Sequence, residues 1–255
     1  MTLSLAVAGK GGTGKTTFSA LVIRALKELG AGAILAVDAD PNSNLAEALG
    51  VESGKPLAEV REKGSSPEGS PQSGISRARA IEDEIHRAIT EAEGFDLITM
   101  GRGEGPRCYC YVNNLLRKSL DEITRNYDAV VLDNEAGLEH LSRRTTNNMD
   151  YLITVMDPTM PSLRAAKRVL ALSREMPVRI EHRMVLVNRV RPDEVPQKVR
   201  QGLAELDAER LGDVPQDDAV ERAGAAGADV FSLPDQTPAL VAVRSLVETL
   251  RRATG

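Results

Sequence analysis

Gly9-Lys10-Gly11-Gly12-Thr13-Gly14-Lys15-Thr16-Thr17 follows the pattern G-x-x-x-x-G-K-[ST], a loop whose backbone cradles phosphate. Its flanks agree with that reading. Leu3 to Ala8 is an apolar run of buried-strand length, and Thr17 to Leu29 has helical spacing closed by Gly30. Strand, glycine-rich turn and helix start together make an anion site. The first N–H groups of the helix lack intrahelical acceptors, and the positive dipole end points at the same spot. In this motif Lys15 reaches the β- and γ-phosphates and the Thr16 hydroxyl ligates Mg²⁺. Gly11, Gly12, Thr13, Gly14, Lys15, Thr16 and Thr17 form the expected nucleotide-binding loop.

Outward from the loop, apolar runs alternate with amphipathic stretches. Further strands are expected at Ala33–Val37, Asp96–Met100, Asp128–Leu132, Tyr151–Met156 and Arg183–Val187, and a last one at Asp229–Leu233. Helices are expected at about Asn42–Leu49, Ile75–Glu93, Asn113–Arg125, Leu163–Arg174, Pro196–Leu211 and Pro238–Arg252. The Gly/Ser/Pro-rich patch from Gly64 to Pro71 reads as a surface connector. This alternation predicts an α/β fold, with a mostly parallel β-sheet flanked by helices on both faces. It also predicts one domain over residues 1–255.

In such a sheet the carboxyl ends of the strands line the ligand crevice. The polar residues there are Lys10, Asp38, Asp40, Asp133, Asp157 and Asn188. Magnesium keeps several of its waters, so Asp38 and Asp133 fit a role as magnesium ligands acting through water. Asp40 either orients the attacking water, since phosphoryl transfer depends on positioning, or caps the helix beginning near Asn42.

Composition narrows the classes. The formal net charge is −5 and aromatic residues make up 3%, with no Trp, so neither a basic surface nor stacking platforms for nucleic acid are expected. No apolar run reaches the length of a membrane span. The first strand starts almost at Met1, with no room for a signal peptide, and the expected location is cytoplasmic. Cys108 and Cys110 are the chain's two cysteines. A disulfide between residues i and i+2 is strained. Two thiolates also fall short of the four ligands that soft tetrahedral or square-planar ions take. A second copy across a two-fold axis would complete a four-thiolate site; the alternative is a pair of thiols with no metal.

Lys10-Gly11-Gly12-Thr13-Gly14-Lys15-Thr16 resembles the deviant Walker A motif of the MinD/ParA/nitrogenase-iron-protein superfamily of P-loop NTPases. Asp38-Ala39-Asp40-Pro41 and Asp133 to Gly137 match its two switch segments. The resemblance implies an ATPase that hydrolyses ATP as a homodimer, with Lys10 reaching the partner's phosphates and joining Lys15 and Asp40 as catalytic residues. It places the adenine near Asn188 and the Val214-Pro215-Gln216-Asp217 loop, with Asn188 and Pro215 as nucleotide-binding residues. Two longer stretches, Met100 to Arg117 with its Cys108-Tyr109-Cys110 core and Val131 to Arg144, resemble the CooC family of nickel-insertion ATPases. That resemblance implies Ni²⁺ or Zn²⁺ bound by Cys108 and Cys110 at a dimer interface favoured by ATP and metal. It implies a nickel enzyme such as carbon monoxide dehydrogenase, or acetyl-CoA synthase, as the client. His140 is a metal ligand, a relay or a packed side chain.

Two rival classes share the nucleotide loop. One is a MinD/ParA-type ATP-switched positioning protein on membrane or DNA. The stripe Leu240, Val243, Val247 and Leu250 reads as core packing, however, and no amphipathic tail follows it. The other is an ATP-driven electron donor with a bridged Fe–S cluster, which needs four thiolates from two chains. The reading therefore expects neither a nucleic-acid nor a membrane partner.

Overall fold

The computed structural model describes residues 2–40, 42–59, 77–101, 120–135 and 148–254. Pro41, the Gly64–Pro71 patch, Cys108, Cys110, Gly137, His140 and the start of the helix expected at Asn113 lie outside them. The described residues form one eight-stranded sheet: β1 (Leu3–Gly9), β2 (Ile34–Ala39), β3 (Ile89–Ala92), β4 (Phe95–Thr99), β5 (Ala129–Asn134), β6 (Asn148–Met156), β7 (Arg179–Val190) and β8 (Glu209–Pro215). Their spatial order is β3-β4-β2-β5-β1-β6-β7-β8. Every pairing is parallel except the antiparallel β3–β4 edge.

Helices cover both faces. α1 (Lys15–Glu28), α2 (Leu45–Ala48) and the C-terminal α7 (Pro238–Thr254) lie on one. α3 (Arg77–Arg87), α4 (Met160–Glu175) and α5 (Gln197–Ala204) lie on the other, while α6 (Asp218–Ala225) borders the first. The central strands alternate between two apolar cores. Leu5 and Val7 of β1 face α1, and Ala6 and Ala8 face the opposite layer. Burial on both sides explains why these strands read as unbroken apolar runs. Leu240, Val243, Val247 and Leu250 are all buried against α1 and the sheet.

Three expected elements differ. The helix expected through Glu93 ends at Arg87, and Ile89 begins β3. Glu93-Gly94 then makes a two-residue turn into β4, with Ala92 paired to Phe95 and Gly94 at φ 87°, the left-handed geometry that hairpin turns demand. The charged helix expected to Leu211 stops at Ala204, and Glu209–Pro215 is the edge strand β8. An edge strand is covered only in part, so its residues stay polar and mask its period.

The strand expected at Asp229–Leu233 is a 3₁₀ turn, Val230–Ser232, started by Asp229 accepting from Ser232 N at 2.9 Å. The carbonyls of this stretch serve Arg24 instead of a ladder. Arg24, only 4% exposed on α1, donates to Val230 O at 2.6 Å, Leu233 O at 2.7 Å and Asp235 Oδ1 at 2.7 Å. Removing this cation strands two carbonyls inside the protein. Arg24→Ala is therefore expected to destabilise the fold by about 3 kcal/mol in urea titration; a change below about 1 kcal/mol would contradict the assignment.

Candidate functional site

β1 delivers the loop through Gly9 at φ 144°, where a Cβ would lie 2.1 Å from Val155 O on β6. Only glycine passes this point. Gly12 and Gly14 both turn at φ 83°. α1 opens on Gly14 with no side-chain cap and no acidic residue in its first turn. Intrahelical bonding begins with Phe18 N donating to Gly14 O at 2.9 Å. The N–H groups ahead of Phe18 and the positive end of the helix are therefore left for an external anion. Lys15 is buried at the same place, 7% exposed. Thr13 acts through its backbone, because its hydroxyl donates to Lys10 O at 2.8 Å. Thr16 and Thr17 are half-buried, and Lys10 is exposed.

Two buried carboxylates face this helix end. Asp38 of β2 and Asp133 of β5 are register partners, 0% and 1% exposed. Asp133 Oδ1 accepts from Ser19 Oγ of α1 at 2.9 Å. Its Oδ2 is buried without a hydrogen-bond partner. Burial pushes the Asp133 carboxyl up to about 6, opposed by the Thr16 and Ser19 hydroxyls and the charge of Lys15. Asp38 is pushed up to about 7, chiefly by burial, with backbone hydrogen bonds opposing and the Asp133 and Asp40 charges adding to the rise. An orphaned carboxylate oxygen beside a threonine hydroxyl and a phosphate cradle fits the oxygen donor set of hydrated Mg²⁺. Asp38 also holds the chain, accepting from Asp40 N at 3.1 Å and Leu45 N at 2.9 Å.

Asp40 is half-buried, and its Oδ1 accepts from Asn42 N at 2.8 Å. The carboxylate thus closes the turn leading to α2, which starts at Leu45. Asp157 follows β6, whose Val155 pairs with Gly9. It closes a turn with Thr159 Oγ1 at 2.5 Å, and Thr159 in turn caps α4.

On the other side of the loop lies a cleft of about 380 Å³. Gly14, Thr17, Asn188 and Pro215 all line it, with Phe18 and Leu21 as apolar wall. Asn188 is 9% exposed, and its amide is partly committed. Nδ2 donates to Thr13 O at 2.9 Å and Oδ1 accepts from Arg189 N at 2.9 Å. One donor and one acceptor site of the amide remain for a base edge.

Two more residues line this cleft, Asp217 from the expected base-side loop and Arg189, to which sequence reasoning assigned no role. Asp217 joins two helices, with Oδ1 accepting from Ala219 N at 2.9 Å and Oδ2 from Ala239 N at 3.0 Å. Its place before an amphipathic stretch is an N-cap signal. Arg189 Nη1 donates to Gly12 O at 2.9 Å, and the sequence carries no signal of this beyond adjacency to Asn188. Among the described residues there is no cluster of three or more His, Cys, Asp or Glu side chains able to hold a metal, and no helix long and apolar enough to cross a membrane.

Known proteins resemble this chain in sequence and fold. The family described as the CobQ/CobB/MinD/ParA nucleotide binding domain, CbiA, matches residues 5–230. An uncharacterized ATP-binding protein of Methanocaldococcus jannaschii is 38% identical over 248 residues, covering 96% of this chain and 97% of its own. The carbon monoxide dehydrogenase accessory protein CooC of Rhodospirillum rubrum is 31% identical over 245 residues, covering 91% of this chain and 90% of its own. Among solved structures, the septum site-determining protein MinD complexed with Mg-ADP, from Pyrococcus horikoshii, matches with a TM-score of 0.72. That match covers 100% of this chain and 98% of MinD, and its 22% identity speaks to the fold.

The raised carboxyls carry a pH signature. Asp133 takes up its proton in the folded protein near 6, against 3.8 ordinarily. Between those values the folded state binds more protons than the unfolded state, so this group lowers stability as pH rises. Ligand-free Asp133→Asn is therefore expected to exceed wild type in stability by on the order of 1–3 kcal/mol at about pH 8, and to lose that advantage at about pH 4. Urea titrations at both pH values check the sign, and an advantage confined to low pH would contradict it.

Proposed function

The chain belongs to the CobQ/CobB/MinD/ParA nucleotide-binding family, and from that premise we propose that it is an ATPase that pairs with a second copy of itself and delivers nickel. The client is an enzyme of the carbon monoxide dehydrogenase or acetyl-CoA synthase type. The whole chain, residues 1–255, acts as one ATPase domain.

The nucleotide half of the reading follows the cradle. The N–H groups at the start of α1 and the Lys15 ammonium hold the β- and γ-phosphates. Thr16, with Asp133 and Asp38 acting through water, would hold Mg²⁺, which neutralises charge on the phosphate oxygens when bound. Asp40 orients the attacking water, and Asn188 and Pro215 receive the adenine. Lys10 is exposed, which supports its reaching a partner's phosphates and stabilising charge as it develops there.

The metal half rests on one observation. Cys108 and Cys110 stand one residue apart in a chain 31% identical to a carbon monoxide dehydrogenase accessory protein over 91% of its length. Two copies bring four thiolates, enough for a tetrahedral or square-planar Ni²⁺ or Zn²⁺. The chain leaves the same carboxyl edge of the sheet toward both segments, which supports a link between the two halves. Met100, where the segment leading to Cys108 begins, donates its N–H to Asp38 O at 2.8 Å. β5 ends at Asn134, one residue past Asp133, and the Asp133 to Gly137 switch segment begins there in the chain. Loss of a γ-phosphate there can release a segment and with it the metal.

Metal analysis after gel filtration with Ni²⁺ and a non-hydrolysable ATP analogue tests the proposal. Wild type is expected to carry about one nickel per two chains, and Cys108→Ala and Cys110→Ala to carry almost none while still binding nucleotide. Equal nickel content in wild type and both variants would overturn it.

A further inference from the structure

We infer that Arg189, together with Asn188, is a positioning residue that fixes the peptide planes of the phosphate loop, so that the base-side cleft and the phosphate cradle form one mechanical unit. The inference deepens the nucleotide reading of this site and rests on it.

The sheet itself creates the feature. Val187 of β7 pairs with Asp213 of β8, and Val190 pairs with Pro215. β7 therefore spends three steps where β8 spends two, a bulge of one residue. Bulges re-aim side chains and occur beside active sites. The residues inside this one are Asn188 and Arg189. Arg189 stands at φ 56°, in the left-handed region that disfavours a residue with a Cβ. Its N–H is held there by Asn188 Oδ1 at 2.9 Å. The Arg189 side chain is exposed, so core packing does not account for the strained backbone. Strain of this kind persists where the surroundings fix it, and it clusters at functional sites.

Both side chains reach the loop from the bulge. Arg189 Nη1 donates to Gly12 O at 2.9 Å, and Asn188 Nδ2 donates to Thr13 O at 2.9 Å. Gly14 leaves room for Asn188, because a Cβ there would lie 2.6 Å from Asn188 Nδ2. In a trans peptide the C=O and the following N–H point in opposite directions. Drawing Gly12 O toward Arg189 turns Thr13 N–H away from it. Drawing Thr13 O toward Asn188 does the same to Gly14 N–H. Thr13 N–H otherwise meets only Lys10 O, at a long 3.4 Å. Two consecutive peptide planes of the cradle are thus set from outside, with Thr13 N–H and Gly14 N–H turned away from Asn188 and Arg189.

Arg189 acts on the phosphates through the loop, and this separates it from a residue that touches the base and from one that only supports the fold. Calorimetric titrations with pyrophosphate, ADP and adenosine on Arg189→Gly, Arg189→Lys and wild type test the inference. Arg189→Gly removes the guanidinium and relieves the left-handed backbone. Its affinity for pyrophosphate and ADP is expected to fall about tenfold, its affinity for adenosine to stay within about twofold, and its melting temperature to hold or rise. Arg189→Lys, which keeps a donor, is expected to recover much of the phosphate affinity. An unchanged pyrophosphate affinity in Arg189→Gly would overturn the inference, as would equal losses for adenosine and pyrophosphate. Wild type binding neither ADP nor pyrophosphate would overturn the nucleotide reading itself, and this inference with it.

Discussion

The carboxyl edge of the sheet buries two carboxylates against the uncapped, positive end of one helix. Asp38 and Asp133 sit side by side on β2 and β5, facing α1, with Ser19 bonded to Asp133 and Lys15 buried in the helix's first turn. The strand order follows from this demand. β1 must be central so that its loop opens between β5 and β6, and β2 must flank β5 so that both carboxylates face the same helix. Burial raises both carboxyls and leaves Asp133 Oδ2 unpartnered, which costs stability in the ligand-free protein. A nucleotide site with its cation would offset that cost. The buried carboxylates lower stability by themselves, as expected where local stability gives way to function.

The central strands were legible because they are covered on both sides. An apolar run such as Leu3 to Ala8 has no polar face to confuse its reading, and the same holds for β2, β5 and β6. The edges were not legible. Ile89 continues the isoleucine spacing of α3, so period alone carried the expected helix past Arg87 into β3. Glu209–Pro215 is mostly exposed or half-buried and reads like the end of a charged helix. Asp229–Leu233 has the apolar content of a strand, yet the buried Arg24 draws its carbonyls out of any ladder. Each miss comes from a tertiary partner that leaves no mark on the local sequence.

The site divides the same way. Motif and topology together located the loop, Asp38 and Asp133, because a glycine pattern and strand ends are local features. What they could not give is how each group's hydrogen bonds are already committed. Asp40 closes a turn, Thr13 is tied back to Lys10, and half of the Asn188 amide serves the loop and its own neighbour. The bulge that brings Arg189 onto Gly12 depends on how β7 and β8 are matched in length, a property of two strands that neither carries alone.

The proposed function makes the cradle the control point for a meeting of two chains, with Lys10 as the group that senses the partner's nucleotide. Light-scattering mass across the nucleotide states tests this most directly. With Mg²⁺ and a non-hydrolysable ATP analogue but no added nickel or zinc, wild type is expected to shift from monomer toward dimer, while ADP leaves it monomeric. Lys10→Ala should stay monomeric with the analogue bound. A mass independent of nucleotide, or a Lys10→Ala protein that dimerises as wild type does, would contradict the account.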